Sequence, residues 1–275
     1  MGAHRGHCPP DPRLVRFLWI GATVLLAPLI AWTAPWQDGL TADVLGSTPE
    51  VRPFQAEFRF GWSEIEAAHV STNIRYEGGD VFLNATGSTT GMARLLWQMD
   101  FSHRAHAARQ GFQTIETTQT ETYKNRVINI HMIAKPDGLW RLRETGGPTP
   151  GTWKKVNISP LRDLFAGMLF LRSQKLDPGD EIQTIIYPGD SPFLVKLNAI
   201  STENITVAGV TRPALKLNLR LQRINLKKGS TLEKNGKFRS GTVWLSNDAD
   251  RIPLRAEVEI FIGYVFAELT SITFP

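Results

Sequence analysis

The chain has 275 residues, 42% of them hydrophobic and 21% charged, and a mean hydropathy of −0.17. That composition excludes collagen-like, disordered and multi-span membrane chains. The net charge is +5, from 31 Lys and Arg against 26 Asp and Glu, and a single Cys excludes a disulfide framework or a Cys-based zinc site.

The first 16 residues carry Arg5, Arg13 and Arg16 against Asp11, and residues 17–34 carry no charge at all. A basic start before an apolar run is the layout of a secretory signal or a signal anchor, so the rest of the chain is expected outside the cytoplasm. Two forms of the signal stay open. Cleavage after Ala34 would put Trp32 at −3, where a small residue is wanted. An uncleaved transmembrane anchor needs about 20 apolar residues, and this run offers 18. Cys8 precedes the run and so cannot be a lipoprotein's acylated Cys. Without residues 1–34 the charge falls to +3. Arg223, Lys227, Lys228, Lys234, Lys237 and Arg239 are scattered around one expected turn and make no nucleic-acid footprint.

Residues 35–53 hold Pro, Gly, Asp, Ser and Thr without periodicity and read as a linker. From Phe54 to the end, one β-rich domain is expected. Phe54, Ala56 and Phe58 alternate with Gln55, Glu57 and Arg59. Ile128, Ile130 and Met132 do the same, as do Val195, Leu197 and Ala199, then Leu215, Leu217, Leu219 and Leu221, and finally Leu254, Ala256 and Val258. Period two gives each strand one buried and one wetted face, the antiparallel pattern. Gly78-Gly79-Asp80, Asp137-Gly138, Pro188-Gly189-Asp190 and Asn235-Gly236 supply the turns. A sandwich, a barrel or a strongly curved sheet follows.

One segment breaks the alternation. Ser159-Pro160 precedes Leu161, Leu164, Phe165 and Met168 at helical spacing, which predicts a helix over about 160–172, buried against the concave face of the sheet. Residues 91–97 predict a second, short helical turn.

Three stretches carry a resemblance to a known family. They are the strand with Gly61-Trp62-Ser63, the segment 159–182, and the segment 243–269. The last runs from a Trp-Leu-Ser strand end at Trp244 through a turn with Asp248, Asp250 and Arg251 to an Ile-Pro strand with Pro253 and a final strand with Gly263. Together they resemble the bacterial domain of unknown function 3108 over about 56–272. The resemblance implies an exported, envelope-associated protein in which a curved antiparallel sheet or open barrel wraps one helix, similar in fold to periplasmic lipoprotein carriers. Asp163, Arg172, Trp244, Asp248, Asp250, Arg251, Pro253 and Gly263 are then family-motif residues with structural roles.

Candidate chemistry is sparse. His103 and His106 share a face only on a helix, where they would lack a third metal ligand; otherwise they are expected at the surface. Asp248 and Asp250 could act as an acid–base pair, but Asp also suits tight turns. Asp163 and Arg172 bracket the helix and complement its dipole. No nucleophile elbow, phosphate loop or dinucleotide fingerprint occurs, so no cofactor is expected. The sequence thus predicts a periplasmic or membrane-anchored binder of an apolar or lipidic ligand, or of an envelope protein. An envelope hydrolase using Asp248, Asp250 or a His, and a ligand-free scaffold, are the alternatives.

Overall fold

A computed structural model of the chain describes residues 34–42, 51–234, 240–260 and 262–275. The expected signal or anchor therefore lies outside the described residues, apart from Ala34. No described helix is long and apolar enough to cross a membrane. Ala34–Pro275 form one compact unit.

The first half of the chain is a meander: β1 (Phe54–Trp62), β2 (Ile65–Glu77), β3 (Asp80–Thr89), helix α1 (Gly91–Leu96), β4 (Met99–Ala108), β5 (Thr114–Tyr123), β6 (Arg126–Lys135), β7 (Gly138–Glu144) and β8 (Lys154–Val156). Helix α2 (Leu164–Arg172) interrupts it. Then follow β9 (Glu181–Ile186), β10 (Phe193–Val207), β11 (Val210–Asn225), β12 (Thr231–Lys234), β13 (Gly241–Ser246), β14 (Pro253–Glu259) and β15 (Tyr264–Thr273). These strands make one antiparallel sheet in the order β8-β7-β6-β5-β4-β3-β2-β1-β15-β14-β13-β11-β10-β9, with β12 on β11. The last strand pairs with the first, Phe58 opposite Leu269, so the chain's two halves join in mid-sheet. The expected curved antiparallel sheet around one helix is what forms.

The alternation seen in the sequence decides the inner face. Val81, Leu83 and Ala85 of β3, Leu215 and Leu217 of β11, and Leu254 of β14 are all buried with α2 residues Ala166, Leu169 and Phe170 in one core. At roughly 1.5–3 kcal/mol per fully buried large apolar side chain, this core holds the helix in place.

At one edge the alternation fails, for a reason. Leu194 of β10 and Ile185 of β9 are fully buried although they point away from Val195, Leu197 and Ile182, which belong to the main core. Their partners form a second core with Ile128, Ile130 and Met132 of β6, Leu139 of β7 and Val156 of β8. The sheet rolls up until the inner face of β6–β8 covers the outer face of β9–β11. Gly189 sits in the overlap at φ +124°, where a Cβ would come 2.7 Å from Ile130 Cδ1.

The seam of this roll corrects the helix start. Residues 161–163 are not helical; Leu161 O accepts from Thr114 N (3.3 Å), Arg162 N donates to Ile185 O (3.4 Å), and Arg162 O accepts from Tyr187 N (2.7 Å). Those bonds across two strands require extended backbone, so Pro160 does not open the helix. Asp163 does, as N-cap: its Oδ1 accepts from Phe165 N (2.8 Å) and Ala166 N (3.0 Å).

The segment expected to be a linker is docked over its first part. Pro35–Gly39 form a 3-10 turn, Trp36 Nε1 donates to Ser230 O (2.8 Å), and Gln183 Nε2 donates to Trp36 O (2.7 Å). Thr41 N donates to Gln183 O (2.8 Å), so this stretch is laid along β9. Trp36 and Leu40 also pack against the second core, which supplies the apolar contact that a free linker would lack.

Candidate functional site

Both ends of α2 are tied to the same end of the strands. Asp163 bonds Thr114 at the start of β5, and Arg172 bonds Asp250 in the turn before β14. A nine-residue helix is about 13 Å long, whereas ten-residue strands such as β3, β4 and β15 run about 33 Å. The helix therefore fills one end of the roll and leaves the other to the strands alone.

Burial along the inner rows records this. In β11, Leu215 and Leu217 are fully buried, whereas Leu219 and Leu221 are partly exposed. In β13 Leu245 is buried and Val243 partly exposed; in β15 Leu269 is buried and Val265 is exposed. In β4 Ala105 and Ala107 are buried and Phe101 is partly exposed. On α2, Leu164, Phe165 and Met168 form the less buried face, and Phe165 and Met168 pack on the main core, as the partly buried Phe58, Phe101 and Leu219 also do. The candidate site is this concavity: an apolar wall above the helix, half-covered, at the end of the roll that α2 does not plug.

Beneath it lies a polar cluster in the core. Asp163 is completely buried and its Oδ2 accepts from Thr117 Oγ1 (2.8 Å) and Thr114 Oγ1 (3.1 Å). His103 Nε2 stands 3.7 Å from Asp163 Oδ1, too far for a hydrogen bond, and its ring packs on Phe165 with centroids 4.6 Å apart. Burial alone would push the Asp163 carboxyl up; the His103 ring, the Ala166 N–H and the Thr117 hydroxyl outweigh it and hold the carboxyl below its ordinary value. Arg162, also fully buried, donates from Nε to Gly111 O (2.8 Å) and from Nη1 to Thr184 Oγ1 (2.8 Å), and its Cζ lies 3.7 Å from the Phe170 ring centroid. Asp163 and Arg162 fix α2 and the seam through these bonds, whereas His103 Nε2 is buried without a hydrogen-bond partner among the described residues.

The family-motif residues gather at the closed end. Arg172 is buried, donating from Nε and Nη2 to Asp250 O (3.1 and 2.9 Å), and burial pulls its pKa down to about 10 against the opposing pull of Tyr76, Asp250 and Asp248. Asp248 Oδ1 accepts from Ser246 Oγ, Asp250 N and Arg251 N (2.7, 3.0 and 3.1 Å), closing the turn on itself. Asp250 pairs with Arg52 at 2.5 Å, and Arg251, at φ +48°, donates from Nη2 to Leu176 O (2.8 Å). Pro253 begins β14 beside an irregular register step at Trp244/Leu245. Trp244, on the opposite face of β13 from Leu245, is buried and donates to Glu203 Oε1 (2.7 Å). Gly263 stands apart, in the turn before β15 at φ +72°, where a Cβ would come 2.1 Å from Ser63 Oγ. Asp248 and Asp250 thus converge on arginines and backbone, with no His beside them among the described residues.

The two histidines of Phe101–His106's strand part company, as β-spacing requires. His103 is buried in the core rather than at the surface. His106 is on the outer face, 2.8 Å from Asp80 Oδ2 and stacked on Phe82 at 4.4 Å between centroids. They cannot share an ion. The outer face there forms an open groove of about 560 Å³ lined by Arg75, Phe82, Arg104, His106 and Glu116. It mixes both charge signs, and His131 pairs with Glu116 at its border (2.7 Å).

Sequence reasoning missed Arg162 and the burial of His103. An Arg beside an expected helix start looks solvated, because its partners Gly111 and Thr184 are distant in sequence.

Comparisons with known proteins agree with this architecture. Residues 54–270 match the family described as protein of unknown function (DUF3108). No curated protein matches the sequence. Among solved structures, a β-barrel-like protein of domain of unknown function DUF1849 from Brucella abortus covers 82% of this chain and 99% of its own, at 8% identity and a TM-score of 0.50. A protein from Parabacteroides distasonis, provisionally described as a lipoprotein, covers 82% and 97% at 8% identity and a TM-score of 0.34. A provisionally described exported protein with a YmcC-like fold from Bacteroides fragilis covers 82% and 98% at 8% identity and a TM-score of 0.32.

Proposed function

The chain belongs to the DUF3108 family, and from that premise we propose that it is an exported protein of the bacterial cell envelope that binds an apolar or lipidic molecule. The ligand occupies the concavity above α2. The single observation that carries this reading is the graded burial of the inner rows: Leu215 and Leu217 give way to Leu219 and Leu221, and Leu269 to Val265, toward one open end. Half-covered apolar side chains in a concave wall gain free energy when an apolar guest covers them, at roughly 25 cal/mol per Å². No reaction is required of the protein: the buried Asp163 and Arg172 hold the helix, and Asp248 and Asp250 hold a turn. Export is supported by the basic start and uncharged run of residues 1–34.

The test is native mass spectrometry of the full chain released from envelopes, with organic extraction of any bound species. A stoichiometric lipid mass is expected. Met168→Lys, which sets a charge on the half-covered face of α2, lowers that occupancy at least tenfold while leaving the thermal midpoint within a few degrees. A bare polypeptide mass from gently handled envelopes refutes the reading.

A further inference from the structure

The open end of the roll carries an apolar rim. The β1–β2 turn, the β14–β15 turn and α1 lie side by side there: Trp62 Nε1 donates to Ile262 O (2.8 Å), and Thr90 N, at the start of α1, donates to Ala67 O (2.8 Å) in β2. Trp62, Ile65, Met92, Leu95, Leu96 and Trp97 are all exposed, Leu95 and Leu96 by 79% and 86%. Single exposed apolar side chains are ordinary, but a contiguous group is not. Large exposed apolar side chains outside this group include Val127, Leu164, Ile200, Val210 and Phe274. The rim's charges are spoken for: Arg94 pairs with Asp100 (2.8 Å), and Arg255 with Glu257 (2.7 Å) and Glu64 (3.3 Å).

Two further features lie at this end. Leu219 of β11 pairs with Gly241, the first residue of β13, so residues 220–225 of β11 run on past the start of β13 toward the β14–β15 turn. The exposed Arg223, Lys227, Lys228 and Lys234 ride on that extension and its return, with Glu233 the only acid between 223 and 234. Second, Trp36, which follows the uncharged run of residues 17–34 by two positions in the sequence, is bonded to Ser230 in that same extension.

We propose that this end docks on a membrane: the apolar rim enters the interface of an anionic lipid bilayer, and the Lys and Arg of the β11–β12 extension meet the headgroups. Exposed Trp and Leu beside Lys and Arg is the composition that such an interface selects. Docking there sets the mouth of the concavity against the source of its ligand. The inference rests on the proposed binding of an apolar molecule and names how that molecule enters.

The test uses the full chain with Cys8→Ser, carrying an environment-sensitive fluorophore at Leu95→Cys on the rim or at Val210→Cys at the opposite end of the strands. Both positions are exposed, so neither substitution disturbs the core. On adding vesicles of phosphatidylethanolamine and phosphatidylglycerol, the Leu95 label shifts to the blue and is quenched by brominated acyl chains, while the Val210 label does neither. Lys227→Glu with Lys228→Glu weakens that docking by about fivefold for each basic charge removed. A Leu95 label that stays in water overturns the proposal. So does one that is shielded before vesicles are added, whether with concentration dependence (a second copy) or without it (another part of the chain). A co-purifying lipid together with a water-exposed Leu95 label rejects the docking and leaves the ligand reading standing.

Discussion

Asp163 is the residue whose removal the structure prices most directly. Its carboxylate caps α2 through Phe165 N and Ala166 N and accepts the Thr114 and Thr117 hydroxyls, all in a site closed to water. Asp163→Ala removes a helix cap, about 1 kcal/mol. It also leaves two buried hydroxyls short of an acceptor, about 1–3 kcal/mol each. The expected loss is roughly 3–7 kcal/mol, or about 6–28 °C in the midpoint for a domain of this size. Asp163→Asn keeps Oδ1 at the cap, and both threonines can rotate to accept from its amide, so it costs about 1–2 kcal/mol.

The same residue has a pH signature. Its folded-state pKa lies below its ordinary value, so the stabilisation is present above about pH 4 and is lost as pH falls through the folded value. The gap between the native chain and Asp163→Asn therefore narrows as pH is lowered from about 5 to about 3. Urea denaturation at several pH values reads both effects. An Ala variant less than about 0.5 kcal/mol below the native chain, or a gap that does not move with pH, would refute the reasoning.

Three other outcomes follow from the packing. Gly61→Ala brings a Cβ to 2.2 Å from Ile65 O and 2.5 Å from the Phe266 ring, so it costs about 2 kcal/mol or more in denaturant titration. Asp248→Ala opens the turn before β14 and costs about 1–2 kcal/mol without changing the amount of co-purified ligand, since the turn lies at the closed end. All four tyrosines are held above their ordinary value; for Tyr123, burial and the neighbouring Glu121 push it up to about 12. An ultraviolet titration of the folded chain at about pH 10, the ordinary phenol value, therefore shows less phenolate than the unfolded chain does, and folding stability falls as pH rises past that point.

The inner face of the sheet was legible residue by residue, because period two in Ile128–Met132 or Leu215–Leu221 depends only on which way successive side chains point. The overlap of the roll was not. Leu194 and Ile185 look like strand residues of the wrong parity until β6–β8 are laid over them, and that placement depends on closure of the whole sheet. The helix start was misjudged for a similar reason: Ser159-Pro160 is a good local signal, yet the bonds from Leu161 and Arg162 to β5 and β9 outweigh it. The Asp that caps the helix was visible, four residues later than expected. Of the candidate site, the apolar residues were on view but their grading was not, since partial exposure of Leu219 or Val243 depends on where α2 stops. Met92, Leu95 and Leu96 fit a short helix, but nothing local tells whether such a helix is covered.

The account turns on whether an apolar molecule sits against the inner wall above α2. A photo-crosslinking residue at Val243, on that wall, and another at Thr86, on the outer face of β3, tests it in intact cells. The account predicts a lipid-mass adduct on peptides containing position 243 and none on those containing position 86. Equal labelling of the two positions, or no adduct at 243, would contradict it.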